Sequence, residues 1–121
     1  MTDSAYYEEG FDIVSARQRF FGNREMCERF LARFLEDTNC EEMIKAVHEK
    51  DVETAFYHAH TLKGVCANLS LWRMQEKISE IVEILRRGNL PKEEELSEAE
   101  ACYQKTAAWV RQVQKQGLTE F

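Results

Sequence analysis

At 121 residues, with 44% hydrophobic and 31% charged side chains, the chain has the composition of one globular domain spanning 1–121, long enough to close a core without disulfide or metal support. A net charge of −6, with no Lys/Arg-rich stripe beyond the isolated Arg86-Arg87 pair, argues against nucleic acid as a partner. No apolar run approaches the ~18 residues of a membrane span, and 1–10 is polar and acidic, so a cytoplasmic protein with no membrane contact and no export signal is expected.

One proline and five glycines leave few breakers, which favours helices. Residues 2–10 read as a loose lead, with Tyr6 and Tyr7 resting on the rest. Asp12 is placed to cap a short helix whose apolar positions Ile13, Ala16 and Phe20 share one side, with Gly22-Asn23 as its end. A stronger helix starts near Arg24, where Met26, Cys27, Phe30, Leu31, Phe34 and Leu35 keep helical spacing. Asp37-Thr38-Asn39 interrupts it. Asn39 with Glu42 resembles a capping box, restarting a helix through Met43, Ile44 and Val47.

Lys50-Asp51 forms a turn, and Asp51 caps the next helix. Asn68-Leu69-Ser70 ends that helix, with Ser70 placed to cap the following one. There Leu71, Met74, Ile78, Ile81 and Leu85 make a seam for an antiparallel neighbour. Gly88-Asn89 closes it, and Pro91 sits at the start of the last helix. Glu93, Glu94 and Glu95 suit the positive N-terminal end of that helix. Its seam reads Leu96, Ala99, Tyr103, Thr106, Val110 and Val113, with Ala107 and Trp109 nearby and Gly117 as the stop. The fold class is all-α: an up-down antiparallel four-helix bundle with a short additional N-terminal helix.

Residues 56–69 are the unusual stretch. Each helical residue turns about 100° from the last. Leu62, Val65, Cys66 and Leu69 therefore form an inward stripe, with Ala55 and His58 beside it. Phe56, Tyr57, His60, Lys63, Gly64 and Ala67 lie opposite, with Asn68 at the margin. An exposed imidazole is a competent nucleophile toward a phosphoryl donor. Lys63, at i+3, can place a positive charge beside phosphoryl oxygens. Gly64, at i+4, removes a side chain that would obstruct a partner, although a helical glycine costs roughly 1 kcal/mol relative to alanine.

The run Ala59-His60-Thr61-Leu62-Lys63-Gly64 followed by Ala67-Asn68-Leu69 resembles the signature of histidine-containing phosphotransfer (HPt) domains of two-component phosphorelays. Phe11-Asp12, Phe34-Leu35-Glu36-Asp37-Thr38 and Asp51 extend the likeness over about 11–89. Ser70 stands where a glycine is common in the family, and Val65 where a small or polar residue is common, which implies a differently shaped helix end. The resemblance implies a phosphorelay carrier. His60 is its phosphoacceptor, Lys63 contacts the phosphoryl oxygens and Gly64 gives the partner access. Phe56, Tyr57, Ala67, Asn68 and Gln75 line the docking surface. The implied partners are response-regulator receiver domains, with a hybrid sensor histidine kinase as a further candidate. No cofactor of its own is implied, the Mg²⁺ belonging to the receiver. A closed bundle favours a monomer.

Blander readings apply to several residues. His58 is rotated roughly 200° from His60 and reads as structural, and His48 as a solvated side chain. Phe56 and Tyr57 can fold against a neighbouring helix or rim a docking site. Cys27, Cys40, Cys66 and Cys102 lack CxxC spacing and read as reduced thiols, not zinc ligands. A di-iron bundle needs Glu-x-x-His pairs, which are missing. No GxxxxGK[ST] loop marks a kinase. The alternative from another class is a non-catalytic bundle that binds receivers or serves as a scaffold.

Overall fold

The computed structural model describes residues 1–119 and 121. Among them the chain forms seven helices and no strand: α1 (Asp3–Glu8), α2 (Ile13–Arg19), α3 (Arg24–Phe34), α4 (Asn39–His48), α5 (Val52–Asn68), α6 (Trp72–Arg86) and α7 (Glu93–Gln116). Helices α4, α5, α6 and α7 follow one another through short turns, and each packs on the next, with α4 also touching α7. That is the up-down four-helix bundle. α3 lies along α7, and α1 packs with α2. The additional N-terminal helices therefore number three, not one.

The third helix is α1, where the sequence suggests only a loose lead. Thr2 caps it, its hydroxyl accepting from the Ala5 N–H at 3.1 Å. Tyr6 is buried edge-on against Phe11 and Trp109. Its hydroxyl accepts from the Thr119 N–H at 2.8 Å, tying the two ends of the chain together. Six residues are too few to show a helical stripe, so α1 is held by its cap and by tertiary packing.

The core is continuous and follows the seams. On α6, Met74, Ile78, Ile81 and Leu85 are buried, with Leu71 just before it. On α7 the buried side is Leu96, Ala99, Ala107, Trp109, Val110 and Val113, while Tyr103 and Thr106 are half-buried. Each large aliphatic side chain so buried contributes roughly 1.5–3 kcal/mol, which offsets the ordering of marginal helices.

Three expected caps fall elsewhere. Asn23 does not close α2 but caps α3, accepting from the Met26 N–H at 3.0 Å; Phe21 (φ 53°) and Gly22 (φ 73°) make the turn. Asn39 is not a capping box with Glu42. It is the first residue inside α4, and the Asp37 carboxylate accepts from its N–H at 2.8 Å. Ser70 does not cap α6 either, since Leu71 occupies that position without a side-chain bond. Ser70 stands at φ 58° and terminates α5, where Leu71 N–H reaches the Cys66 carbonyl and Ser70 N–H the Ala67 carbonyl. This is a Schellman end, whose left-handed residue is most easily a glycine. Ser70 holds it because its hydroxyl donates to Ser15 Oγ at 3.1 Å and its carbonyl accepts from the Asp12 N–H at 2.9 Å.

Asp12 and Asp51 do cap α2 and α5, accepting from Ser15 and Thr54 N–H at 3.1 Å each. Those bonds from Thr54 hold the Asp51 carboxyl below the usual carboxylate range. Pro91 is buried just ahead of α7, and Glu95 accepts from the Lys92 N–H at 2.7 Å.

Candidate functional site

Asp51 starts α5 and the Schellman turn at Ser70 stops it, so 56–68 form an unbroken helix with one face fixed inward. That face is Ala55, Ala59, Leu62 and Cys66, with Leu69 following. Val65, expected on the stripe, is half-buried at its edge, and Ala59 takes the central place. The small Ala55 and Ala59 side chains allow close approach to the neighbouring helices. They also rotate the helix so that His60 is exposed.

His60 leaves the middle of α5 and forms no hydrogen bond or ion pair among the described residues. Phe56, one turn earlier, lies against its imidazole, with ring centroids 5.6 Å apart and planes inclined by 27°. The Phe56 ring also carries the Arg86 guanidinium of α6, with Cζ 5.3 Å from its centroid. Phe56 is therefore half-buried and packed on the core while it flanks His60. Tyr57 is 64% exposed. Lys63 and Ala67 are half-buried, and Gly64 and Asn68 are exposed.

Gly64 is unlike the other glycines. Gly10, Gly22, Gly88 and Gly117 all adopt positive φ, where a side chain is strained. Gly64 is helical, and a Cβ built on it meets nothing within 4 Å. Neither the backbone nor the packing of this chain calls for glycine there.

Gln75 is half-buried on α6. The Phe56–Arg86 contact sets the antiparallel register of α5 and α6. Ala67 is eleven residues beyond Phe56 and Gln75 eleven before Arg86, so these two fall level with each other, well along the helix from His60. The residues that cluster around His60 are thus Phe56, Lys63 and Gly64. Asn68 and Gln75 lie toward the far end of α5.

His58 faces α4, as its rotation from His60 requires. Asn39 Nδ2 donates to both carboxylate oxygens of Asp37 at 3.0 Å, which leaves Asn39 Oδ1 as an acceptor. It lies 2.9 Å from His58 Nδ1, so that nitrogen carries the proton. Tyr103 of α7 donates to the Asp37 carbonyl at 3.0 Å. This chain of bonds clamps the start of α4 to α5 and α7. His48 is exposed and paired with Glu93 at 2.8 Å.

The four cysteines are free thiols. Burial pushes Cys27 and Cys40 up to about 12, and Cys66 and Cys102 also upward. Burial likewise pushes the Tyr103 hydroxyl up to about 12. Sequence reasoning missed Arg86 as the partner of Phe56 and Asn39 as the partner of His58. Their partners are far off in sequence, and nothing local marks them.

The model of one family, the Hpt domain, matches residues 25–116. The chain belongs to the Hpt domain family. Hpt domains are phosphotransfer carriers of two-component signalling rather than kinases, and they interact with the receiver domains of response regulators. The matched segment of this Hpt domain begins in α3 and ends with the last residue of α7. It takes in α7, beyond the stretch on which the motif resemblance rests. No curated protein and no solved structure matches the chain. No helix among the described residues is long and apolar enough to cross a membrane.

Proposed function

We propose that His60 is the phosphoacceptor of this Hpt domain, taking a phosphoryl group from an aspartyl phosphate on one receiver domain and passing it to an aspartate on another. The observation that carries the reading is the pairing of an exposed imidazole with Gly64, a helical glycine that the fold itself does not need. A bare patch one turn from a nucleophile admits a macromolecular donor.

In the forward step the unprotonated, solvent-facing nitrogen of His60 attacks phosphorus. The P–O bond of the acyl phosphate breaks, its electron pair stays on the receiver carboxylate, and a P–N bond forms. The second transfer reverses these roles on a different aspartate. Phosphoryl transfer is mainly positioning and charge stabilisation. The receiver supplies the aspartate and Mg²⁺, and this chain supplies the nucleophile, the Lys63 ammonium beside it and the cleared surface at Gly64. Tyr57, Ala67, Asn68 and Gln75 extend the docking surface along α5 and α6, with Phe56 at its edge. The chain acts as a single cytoplasmic carrier with no cofactor of its own, and a hybrid sensor kinase is a fitting source of the phosphorylated receiver.

Incubation with phosphorylated receiver domains, followed by mass spectrometry, tests the assignment. Wild type should acquire one acid-labile phosphoryl group. His60→Gln should acquire none and melt at the wild-type temperature. Labelling that persists in His60→Gln rejects the assignment, and receiver binding without any labelling of wild type favours the scaffold.

A further inference from the structure

We infer that the Phe56 ring, held by Arg86 from the neighbouring helix, is a positioning element that sets the orientation of the His60 imidazole before any donor arrives. The inference rests on His60 being the phosphoacceptor. Three observations support it. The His60 nitrogens have no hydrogen-bond partner among the described residues, so no polar contact orients the ring. Its defined ring neighbour is Phe56, at 5.6 Å and 27°, within the range of offset aromatic packing. Phe56 is itself anchored, being packed on the core and covered by the Arg86 guanidinium at 5.3 Å.

An exposed histidine on a helix samples several rotamers, and only some of them aim a ring nitrogen at an incoming phosphorus atom. Packing the imidazole against a fixed ring narrows that set without occupying either nitrogen. A hydrogen bond to a carboxylate would orient the ring too, but it would bring a negative charge toward a dianionic donor. An apolar face orients the ring without placing a carboxylate on the imidazole itself. Arg86 also lies 3.3 Å from Glu83, an exposed pair that leaves its guanidinium plane available to the ring.

The full chain is to be compared with Phe56→Leu, Phe56→Tyr and Arg86→Gln, using two donors. Phosphoramidate is small and needs no docking; a P–N bond forms at His60 as the donor's own P–N bond breaks and ammonia leaves. A phosphorylated receiver needs the docked surface. Phe56→Leu should slow labelling by both donors, about five- to tenfold, with Phe56→Tyr restoring most of the rate and Arg86→Gln giving a smaller loss. The side-chain couplings of His60 by NMR should move toward rotamer averaging in Phe56→Leu. Slowing with the receiver alone assigns Phe56 to docking and overturns the inference, as do His60 couplings unchanged in Phe56→Leu. Absence of labelling in wild type with both donors instead rejects His60 as phosphoacceptor, and this inference with it.

Discussion

Replacing Gly64 separates what the fold needs from what the partner needs. The residue is helical, exposed and unobstructed, with nothing within 4 Å of the methyl group that alanine would add. Alanine in such a position should stabilise the chain by about 1 kcal/mol, the difference in helix propensity. With about 2.1 cal/mol/K per residue, a chain of 121 residues has an unfolding entropy near 0.25 kcal/mol/K, so Tm should rise by about 4 °C. Gly64→Gln should gain less, about 0.5 kcal/mol, because its side chain loses some freedom. Transfer from a phosphorylated receiver should move the other way. On the proposed function a long side chain one turn from His60 stands in the donor's approach, and a tenfold loss corresponds to about 1.4 kcal/mol of transition-state stabilisation. The two readouts are thermal unfolding followed by circular dichroism and receiver-to-chain transfer rates. A lower Tm for Gly64→Ala refutes the claim that the fold tolerates a side chain there. Wild-type transfer by Gly64→Gln refutes the claim about access.

Asn39→Ala should cost about 1 kcal/mol in urea unfolding, since it releases Asp37 and His58 together while leaving phosphoryl transfer at the wild-type rate; an unchanged midpoint would show that the clamp is dispensable. Lys50, exposed at φ 60°, should gain about 1 kcal/mol on replacement by glycine, because the left-handed conformation costs that much for a residue with a Cβ. The buried thiols predict an alkaline limb. Cys27 and Cys40 titrate near 9 when unfolded and at about 12 when folded, so the unfolded chain releases protons first and stability falls as pH rises from 9 toward 12. Urea unfolding at stepped pH should show a shallower fall in the Cys27→Ala/Cys40→Ala variant, and parallel slopes would count against the burial of these thiols.

Much of the site could be read from 56–69 alone, for a geometric reason. A helix fixes which residues share a face, so His60, Lys63 and Gly64 were bound to lie together once Leu62 and Cys66 turned inward. The one misjudged position in that stretch, Val65 in place of Ala59, lies at the edge of the stripe. There a rotation of the helix by a few tens of degrees, set by what packs against it, changes burial. For Phe56 the sequence left two readings open, folding against a neighbouring helix or rimming a docking site, and it did not show that the ring would pack on the core and flank His60 at once. Its contacts with His60 and Arg86 span a helix and an interhelical seam, and 5.3 Å of separation across that seam corresponds to thirty residues of chain.

Local patterning along the chain specifies the helices with strong periodic stripes, the aspartate caps of α2 and α5, and the exposure of His60 beside an unhindered backbone. These depend on geometry that repeats every turn and is written within a few residues. Long-range packing chose the rest. It made a helix of 3–8 by giving Tyr6 a place between Phe11 and Trp109, and it set Asn39 against His58 of α5 in place of a capping role. It also let Ser70 occupy a left-handed position through its bond to Ser15. A short segment or a single polar side chain has several local options of nearly equal free energy, and the partner that chooses among them comes from a distant part of the chain.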